Sequence, residues 1–505
     1  MSSRYKKEYF IILIFVAVNL VLHLIADRNA GFHGDELYYI DSGRHPALGY
    51  MDFPPLIGWL AWFQNLFHST SLSLNHLFVF TASSLIFVFV GLTVLRAGGK
   101  WSAVTIALCC ILFAPGFAAT HSLFLPDVFE QLFSVILFYA LVSYCKKPDN
   151  KYLILSGISA AFGFLTKYSI GFPICGLLLS VVISQPKLLK NKILWLSILL
   201  FLLFISPNIY WQVNNHLPFI KHFSQLYNTQ LDQLSRLAEI KSLLLFLNPV
   251  TSVVWLVGLA IFPFAARFKE YRLAGLTLSF TFLLILAAAG KSYYFYPVIL
   301  GALPLGAVFL EQLLSRRKWI LISYLSVIGL TGIIFLPRGM TILPLNTYLK
   351  VYKLQKNSDG RIPLPLENFY SKDQWNKLLN VVDSTFRNLP AGEQKMTLIW
   401  GRHYSQAGII NLFRREYGLP RAFSFHGSCY TWVPDFSKKI TVIGISEANL
   451  GKQFWLQYFE DVHETGDIEN PYANNLHWYR QRVFICRKPK YDSAGLKNLF
   501  RNQIF

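Results

Sequence analysis

Residues 31–55, GFHGDELYYIDSGRHPALGYMDFPP, form a polar segment between two long apolar runs. The segment contains Asp35, Glu36, Asp41 and Asp52, which are four of the thirteen acidic residues before position 338. A loop that only joined two helices would not need so many charged side chains. We therefore take this segment as the centre around which the rest of the chain is organised.

The composition is that of a protein that spans a membrane. Of the 505 residues, 53% are hydrophobic and 15% are charged, and the mean hydropathy is +0.39, which is too apolar for an ordinary soluble protein. The first apolar run has no small-residue cleavage site after it, so we expect a retained helix and not a signal peptide. Much of the net charge of +20 lies in short loops, where anionic lipids and not nucleic acid are the expected partner.

Apolar runs long enough to cross a bilayer, about 20 residues each, recur through the first two thirds of the chain. They predict a polytopic α-helical membrane protein with about eleven transmembrane helices. The runs lie near residues 8–27, 75–95, 101–119, 125–145, 152–170, 171–186, 193–211, 246–266, 272–289, 297–314 and 319–336.

The distribution of Lys and Arg predicts the orientation of these helices. With the N-terminus in the cytoplasm, seventeen basic residues fall in cytoplasmic segments and seven in external ones. Basic residues accumulate in cytoplasmic loops, so we expect a multi-pass protein of the cell (inner or plasma) membrane with a cytoplasmic N-terminus. An odd number of helices then places the first loop, residues 28–74, and the C-terminal region outside the cytoplasm.

The C-terminal region has a different composition. From about residue 337 polar residues become frequent, and the alternating stretches 395–400 and 439–444 are typical of β-strands. We therefore predict a transmembrane domain over residues 1–336 and an extracytoplasmic α/β domain over residues 337–505. Cys429 and Cys486 could form a disulfide in such a compartment.

Polar side chains in or beside the apolar runs fall at the outer ends of the predicted helices, which predicts one extracytoplasmic cavity. Asp35 could accept a proton from an attacking hydroxyl group, whereas Glu36 and Asp52 could orient a sugar or hold a divalent cation. The structural alternatives are that Asp35 caps a helix beginning at Leu37 and that Asp52 caps the following helix. Asp41 is expected to be an exposed helix residue.

Two lysines beside tyrosines are candidates for binding a phosphate group. Lys291 is followed by three tyrosines within five residues, and we favour phosphate contact there. Lys167 could equally extend to the lipid headgroups. For Asp127 a helix cap is the alternative, and for His121 and Trp211 an ordinary interfacial position. The remaining candidate substrate-binding residues at the helix ends are Arg44, Tyr168, Asn208, Gln212 and Tyr293.

With these residues in place, the chain resembles membrane glycosyltransferases of the GT-C superfamily, in the branch that contains protein O-mannosyltransferases and the lipid A aminoarabinose transferases. The resemblance covers roughly residues 8–340 and depends on the order of several short motifs along the chain. The motifs are Gly34-Asp-Glu-Leu-Tyr-Tyr39, Gly49-Tyr-Met-Asp-Phe-Pro-Pro-Leu56, Leu165-Thr-Lys-Tyr168, Ser206-Pro-Asn-Ile-Tyr-Trp-Gln212 and Lys291 with its tyrosines.

This resemblance implies a polyprenyl-phosphate-linked sugar donor, no nucleotide sugar, and an active site at the extracytoplasmic face. It also implies that Asp35 is the general base of an inverting transfer to a hydroxyl or phosphate group of lipid A, another glycolipid, a polysaccharide or a protein. In the aminoarabinose transferases the position matching Asp52 is a Glu followed by Lys, whereas Phe53 follows Asp52 here. The donor phosphate would then be neutralised by Lys291, Lys167 and Arg44. No cofactor is implied, and the need for a divalent cation stays open.

Two other classes of function compete with the transferase. A secondary transporter or flippase of a lipid-linked or anionic substrate would also place charges in a cavity, but usually with paired broken helices and polar groups at mid-depth. A sensor or assembly protein would not need carboxylates and lysines at several helix ends. The clustering of polar groups at one face therefore favours the transferase.

Overall fold

The computed structural model describes residues 5–365, 369–437, 439–474, 478–501 and 503. The chain divides into two compact units. The first, called the helical unit, comprises Met1–Leu24, Phe53–Leu56 and His76–Met340. The second, called the sheet unit, comprises Ile25–Asp52, Ile57–Asn75 and Thr341–Phe505, so it combines most of the first loop with the C-terminal region.

Seven helices in the described part of the chain are long and apolar enough to cross a membrane by themselves. Their apolar windows differ in burial, which separates central from peripheral helices: 83% of the window is buried in Ser292–Leu313 but only 17% in Lys192–Asn214. The outer helices therefore present apolar side chains that suit contact with lipid. The seven helices are Lys6–Asn29, Leu77–Arg96, Pro126–Lys146, Lys192–Asn214, Ala266–Ala287, Ser292–Leu313 and Lys318–Arg338.

Two more of the predicted spans are bent helix pairs. Trp101–Leu112 and Pro115–His121 meet at 71°, and Arg236–Phe246 and Pro249–Phe264 meet at 98°. In both pairs a proline opens the second helix, where its missing N–H costs nothing, and it disfavours the helical conformation of the residue before it. The predicted run 101–119 covers the first pair, whereas the run 246–266 covers only the second helix of the other pair, and neither bend was predicted.

The last two predicted spans form shorter helices, Asn150–Thr166 and Tyr168–Ser184. Every one of the eleven predicted segments is therefore helical. By length and composition, however, seven of the described helices qualify as spans, or up to nine if each bent pair is one span. Further short helical segments of this unit are Pro186–Lys190, Pro218–Leu226 and the π-helical turn Tyr227–Leu231.

The sheet unit contains one five-stranded mixed sheet. Its strands are β1 (Thr397–Gly401), β2 (Ala422–Phe423), β3 (Thr441–Glu447), β4 (Phe459–Glu469) and β5 (Arg480–Pro489), in the order β2-β1-β3-β5-β4. Strand β1 pairs in parallel with β2 and β3, whereas β5 pairs antiparallel with β3 and β4. The predicted strands near 395–400 and 439–444 are confirmed as β1 and β3.

Helices and a core of aromatic side chains complete the sheet unit. Trp400, Trp455, Phe459 and Phe484 pack together beside the sheet and are almost fully buried, which fixes the sheet against its helices. The helices are Gly34–Ser42, Leu56–Asn65, Leu72–Asn75, Leu345–Val351, Lys372–Arg387, Ala391–Gln394, Tyr404–Tyr417, Gly451–Leu456 and Ser493–Phe500.

The disulfide considered from the sequence is not formed. Cys429 and Cys486 are both free and buried. Cys486 lies on β5 and packs in the aromatic core, whereas Cys429 lies in the turn Gly427–Trp432. The two thiols therefore serve as small buried side chains in different parts of the unit.

Candidate active site

The helix Gly34–Ser42 presents the first-loop carboxylates, and its start is held by a capping box. The Nδ1 atom of His33 accepts a hydrogen bond from the backbone N–H of Asp35 at 3.1 Å, and the Glu36 carboxylate accepts one from the backbone N–H of His33 at 2.7 Å. The alternative in which Asp35 capped a helix starting at Leu37 is therefore wrong, because His33 is the cap. Glu36 is fully buried and closes this box.

Asp35 has one carboxylate oxygen engaged and one open. Its Oδ1 accepts a hydrogen bond from the Tyr404 hydroxyl at 2.6 Å. Its Oδ2 lies 3.9 Å from His33 Nδ1, which is itself an acceptor and so cannot donate to it. No other donor among the described residues reaches Oδ2, and 46% of the side chain is exposed. This carboxylate can therefore receive a hydrogen bond or a proton from outside the protein.

Asp52 belongs to a hydrogen-bond network inside the sheet unit. The Tyr38 hydroxyl lies 2.7 and 2.8 Å from its two carboxylate oxygens, and the Ser428 hydroxyl donates to Oδ1 at 2.6 Å. The backbone N–H of Ser428 donates in turn to the Tyr38 oxygen at 2.6 Å. Burial and the charge of Asp52 raise the pKa of Tyr38, so this hydroxyl stays protonated as a donor. Both oxygens of Asp52 thus have partners in the protein.

Asp41 is buried and not exposed as the sequence indicated, because it faces the helix Tyr404–Tyr417. Only 5% of Asp41 is exposed; it accepts a hydrogen bond from the Asn411 amide at 3.0 Å, and the Nε atom of Arg44 lies 3.2 Å away. Burial raises the pKa of Asp41 to about 6, against the opposing effects of Arg44 and Asn411. Arg44 also donates to the backbone oxygen of Asn411 at 2.8 Å, so it is committed to this pair.

In the helical unit, Lys167 is surrounded by negative charge. Its Nζ atom lies 2.7 Å from Asp127 and 3.9 Å from Glu130, and Ser169 donates to Glu130 at 2.6 Å. The Nζ atom also lies 4.8 Å from the centre of the Tyr293 ring. Asp127 is not the cap of its helix, since that position belongs to Leu125. This arrangement neutralises Lys167 inside the protein.

A second group of predicted residues forms a hydrogen-bonded cluster around Tyr168. The Tyr168 hydroxyl donates to Asn208 at 3.1 Å and accepts from Gln212 at 3.1 Å, and both of these side chains are buried on the helix Lys192–Asn214. Trp211 is half-buried on the same helix. The adjacent residues Lys167 and Tyr168 therefore each lie in a polar cluster of the helical unit.

His121 lies in the interior, whereas the sequence left open an interfacial position. It is 2% exposed and its Nε2 atom is 3.0 Å from the Gln131 side-chain oxygen. The Gln131 amide also donates to Thr120 at 3.1 Å. These contacts join Pro115–His121 to Pro126–Lys146 and account for His121 without a ligand.

Lys291 differs from Lys167 because no carboxylate among the described residues lies within 4 Å of its ammonium group. Its Nζ atom donates to the Gln230 side-chain oxygen at 2.6 Å. The nearby Glu239 carboxylate is engaged with the backbone N–H of Ser292 at 2.6 Å. Burial and the charge of Lys167 lower the pKa of Lys291, and an anion bound there would oppose both effects.

Known proteins share this fold. Residues 52–211 match the family model described as dolichyl-phosphate-mannose-protein mannosyltransferase. Crystal structures of ArnT from Cupriavidus metallidurans, bound to undecaprenyl phosphate and in the apo state, align with TM-scores of 0.60 and 0.62 at 13% identity. Each alignment covers 94% of this chain and 97% of ArnT. The chain therefore carries the matched domain over residues 52–211 and has the fold of ArnT.

The archaeal oligosaccharyltransferase AglB from Archaeoglobus fulgidus is a more distantly similar structure. That structure, a complex with an inhibitory peptide and a dolichol-phosphate, aligns with a TM-score of 0.45 at 11% identity, over 80% of this chain and 63% of AglB. No curated protein sequence matched the chain. The resemblance drawn from the sequence motifs is nevertheless confirmed by the matched domain and by the ArnT fold.

Sequence reasoning missed the side chains that the C-terminal region adds beside the first-loop helix. His403 and Tyr404 follow β1, and His426 and Ser428 follow β2, its parallel neighbour. The ring centroids of His403 and His426 lie 4.8 Å apart, and those of Tyr404 and His426 are also 4.8 Å apart. Burial lowers the pKa of His426. Side chains at the carboxyl ends of adjacent parallel strands meet at one edge of a sheet, but the sequence pattern identified only β1 of these two strands.

The metal site considered from the sequence has little support in the geometry. Among the described residues, no group of three or more His, Cys, Asp or Glu side chains is arranged to hold a metal ion. Glu36 is fully buried in the capping box, and Asp52 accepts hydrogen bonds on both oxygens. The donor set at the first loop therefore does not fit a divalent cation.

Proposed function

We propose that this protein is a GT-C glycosyltransferase that moves a sugar from a polyprenyl-phosphate donor to a hydroxyl group of a lipid, glycan or protein acceptor, with inversion at the anomeric carbon. Asp35 is the general base in this scheme. The acceptor oxygen bonds to the anomeric carbon while the bond from that carbon to the phosphate oxygen breaks. The proton of the acceptor hydroxyl passes to Asp35, and the polyprenyl phosphate leaves with the bonding electrons.

The observation that carries this proposal is the open oxygen of Asp35. Glu36 is fully buried in a capping box, Asp41 is 5% exposed and paired, and Asp52 accepts hydrogen bonds on both oxygens. Asp35 is the one member of these four first-loop carboxylates, all described, that combines 46% side-chain exposure with an unengaged oxygen. A general base must reach the proton that it takes, so Asp35 is the best of the four.

Lys291 is the better candidate of the two lysines to contact the donor phosphate. A leaving phosphate needs a cation whose charge is not already neutralised by the protein. Lys167 faces Asp127 and Glu130, whereas Lys291 faces the neutral Gln230 side chain. We therefore assign phosphate contact to Lys291 and a structural ion pair to Lys167.

The class of donor is supported by the comparisons. The matched family is named for transfer from dolichyl-phosphate-mannose, and one ArnT structure holds undecaprenyl phosphate. Both are polyprenyl phosphates, so the lipid phosphate is the shared part of the donor. The excess of basic residues in one set of loops supports a cytoplasmic N-terminus and an extracytoplasmic reaction.

Replacing Asp35 by Asn tests the proposal. The substitution keeps the size of the side chain but removes its ability to take a proton, so we expect transfer to fall about 10²–10⁴-fold. The assay uses purified protein in nanodiscs, a panel of undecaprenyl-phosphate hexoses and pentoses, and an envelope extract as acceptor. Release of undecaprenyl phosphate is the measured product.

Asp435→Asn is the matched control, because Asp435 lies in the same unit with 96% of its side chain exposed. We expect this variant to transfer sugar at the unmodified rate. Near-normal release by Asp35→Asn from a donor that the unmodified protein uses would refute the base assignment. Absence of release by the unmodified protein with every member of the panel would count against the donor class.

A further inference from the structure

We infer that the Tyr404 hydroxyl positions Asp35 for proton transfer, so that the C-terminal region supplies part of the reaction centre. This inference rests on the proposed role of Asp35. Tyr404 does not touch the reacting atoms in this scheme; it acts through the carboxylate. The hydrogen bond of 2.6 Å joins two residues that are 369 positions apart in the sequence.

Tyr404 is held firmly in place. It is the first residue of the helix Tyr404–Tyr417, whose start is fixed by a capping box between His403 and Gln406. Its ring stacks on the Tyr38 ring with centroids 4.5 Å apart and planes 22° apart. Tyr38 is itself fixed by hydrogen bonds with Asp52 and with the backbone N–H of Ser428. The donor that reaches Asp35 is therefore a rigid one.

The hydrogen bond leaves Asp35 with a single useful orientation. Because Tyr404 occupies Oδ1, the carboxylate cannot rotate about its terminal bond without losing this partner. Oδ2, the oxygen without a donor, then stays on the exposed side. A carboxylate with 46% of its side chain exposed would otherwise sample several rotamers. Catalytic groups act best when neighbouring residues fix their geometry in this way.

Tyr404 also stays protonated, as this role requires. Burial, and then the negative charge of Asp35, raise the pKa of Tyr404. The hydroxyl therefore remains a donor over the whole working pH range and does not compete with Asp35 for the acceptor proton.

Tyr404→Phe removes the hydroxyl and keeps the ring that stacks on Tyr38. A hydrogen bond to a charged group corresponds to roughly a 10- to 100-fold effect, and we expect kcat to fall by about that factor. The KM for the undecaprenyl-phosphate sugar and the thermal unfolding temperature should stay unchanged, since neither the donor contact nor the packing is altered. The assay is the release of undecaprenyl phosphate by the full chain in nanodiscs.

Tyr417→Phe is the matched control, because its hydroxyl lies at the other end of the same helix and contacts Asn380 at 3.4 Å. It should behave as the unmodified protein. A second variant, Tyr404→Leu, removes the ring as well and reports on packing.

The outcomes separate the two claims. If Asp35→Asn is inactive while Tyr404→Phe has a kcat within twofold of the unmodified protein, the positioning role is overturned and the base assignment stands. If Tyr404→Phe loses activity only together with thermal stability, Tyr404 is a packing residue and the inference also fails. If Asp35→Asn is active, the base assignment itself fails, whatever the Tyr404 variants do.

Discussion

The two lysines of the predicted site should respond differently to replacement by Met. Lys167 lies 2.7 Å from Asp127 and 3.9 Å from Glu130, and the side chains of these three residues are 20%, 17% and 5% exposed. Removing the cation would leave two poorly solvated carboxylates without their counter-charge. Breaking a buried ion pair from one side costs about 3–5 kcal/mol. Because Lys167 and Asp127 keep some contact with solvent, we expect Lys167→Met to lower the free energy of unfolding by about 3 kcal/mol.

Lys291→Met provides the comparison. Its ammonium group contacts Gln230 and leaves no carboxylate unpaired when it is removed, so we expect a change in stability within about 0.5 kcal/mol. Binding of undecaprenyl phosphate should be affected in the opposite order, more by Lys291→Met than by Lys167→Met. Loss of a charged hydrogen bond to phosphate weakens binding by roughly 10-fold or more, and we expect this for Lys291→Met only.

Both effects can be measured on purified protein in detergent. Thermal unfolding followed by tryptophan fluorescence reports stability, and titration with undecaprenyl phosphate reports binding. The double variant Lys167→Met with Asp127→Asn should recover part of the lost stability, because one of the two unpaired charges is removed. An unfolding temperature of Lys167→Met equal to that of the unmodified protein, with weakened lipid phosphate binding, would reverse the roles assigned to the two lysines.

Two further predictions concern the sheet unit. The pKa of Asp41 is raised from 3.8 to about 6, so its contribution to stability is fully present below pH 4, and the protein loses about 3 kcal/mol of stability as the pH rises through 6. Asp41→Asn should remove that part of the dependence of Tm on pH, and an unaltered dependence would contradict this prediction. Cys429 and Cys486 are free, so denatured and unreduced protein should be alkylated at both, and a mass that shows either one blocked would contradict the structure.

The membrane helices could be predicted because they depend on local composition. A run of about 20 apolar residues has few alternatives to a helix, since every backbone polar group must be satisfied inside the bilayer. The bends before Pro115 and Pro249 were harder to predict. A proline at the first position of a helix and a proline that breaks a helix look the same in sequence, and only the neighbouring helices decide between them.

The side chains at the ends of β1 and β2 could have been predicted in part. The alternating stretch near 395–400 identified β1, and His403 and Tyr404 follow it directly. The parallel partner β2 has only two residues, Ala422–Phe423, which is too short for an alternating pattern. Without β2, nothing in the sequence indicated that a second polar turn lay beside the first.

Which first-loop carboxylate is available as a base depends on contacts with residues far away in the sequence, which no local pattern contains. Asp35 meets a residue 369 positions away, Asp41 one that is 370 away and Asp52 one that is 376 away. In the sequence each of the three is a carboxylate in a polar loop, and none of these partners can be read from it. In the fold, Asp41 is buried and paired with Asn411 and Arg44, and Asp52 accepts hydrogen bonds on both oxygens, whereas Asp35 keeps one oxygen open. The C-terminal region thus determines which first-loop carboxylate remains available for chemistry, by occupying the others.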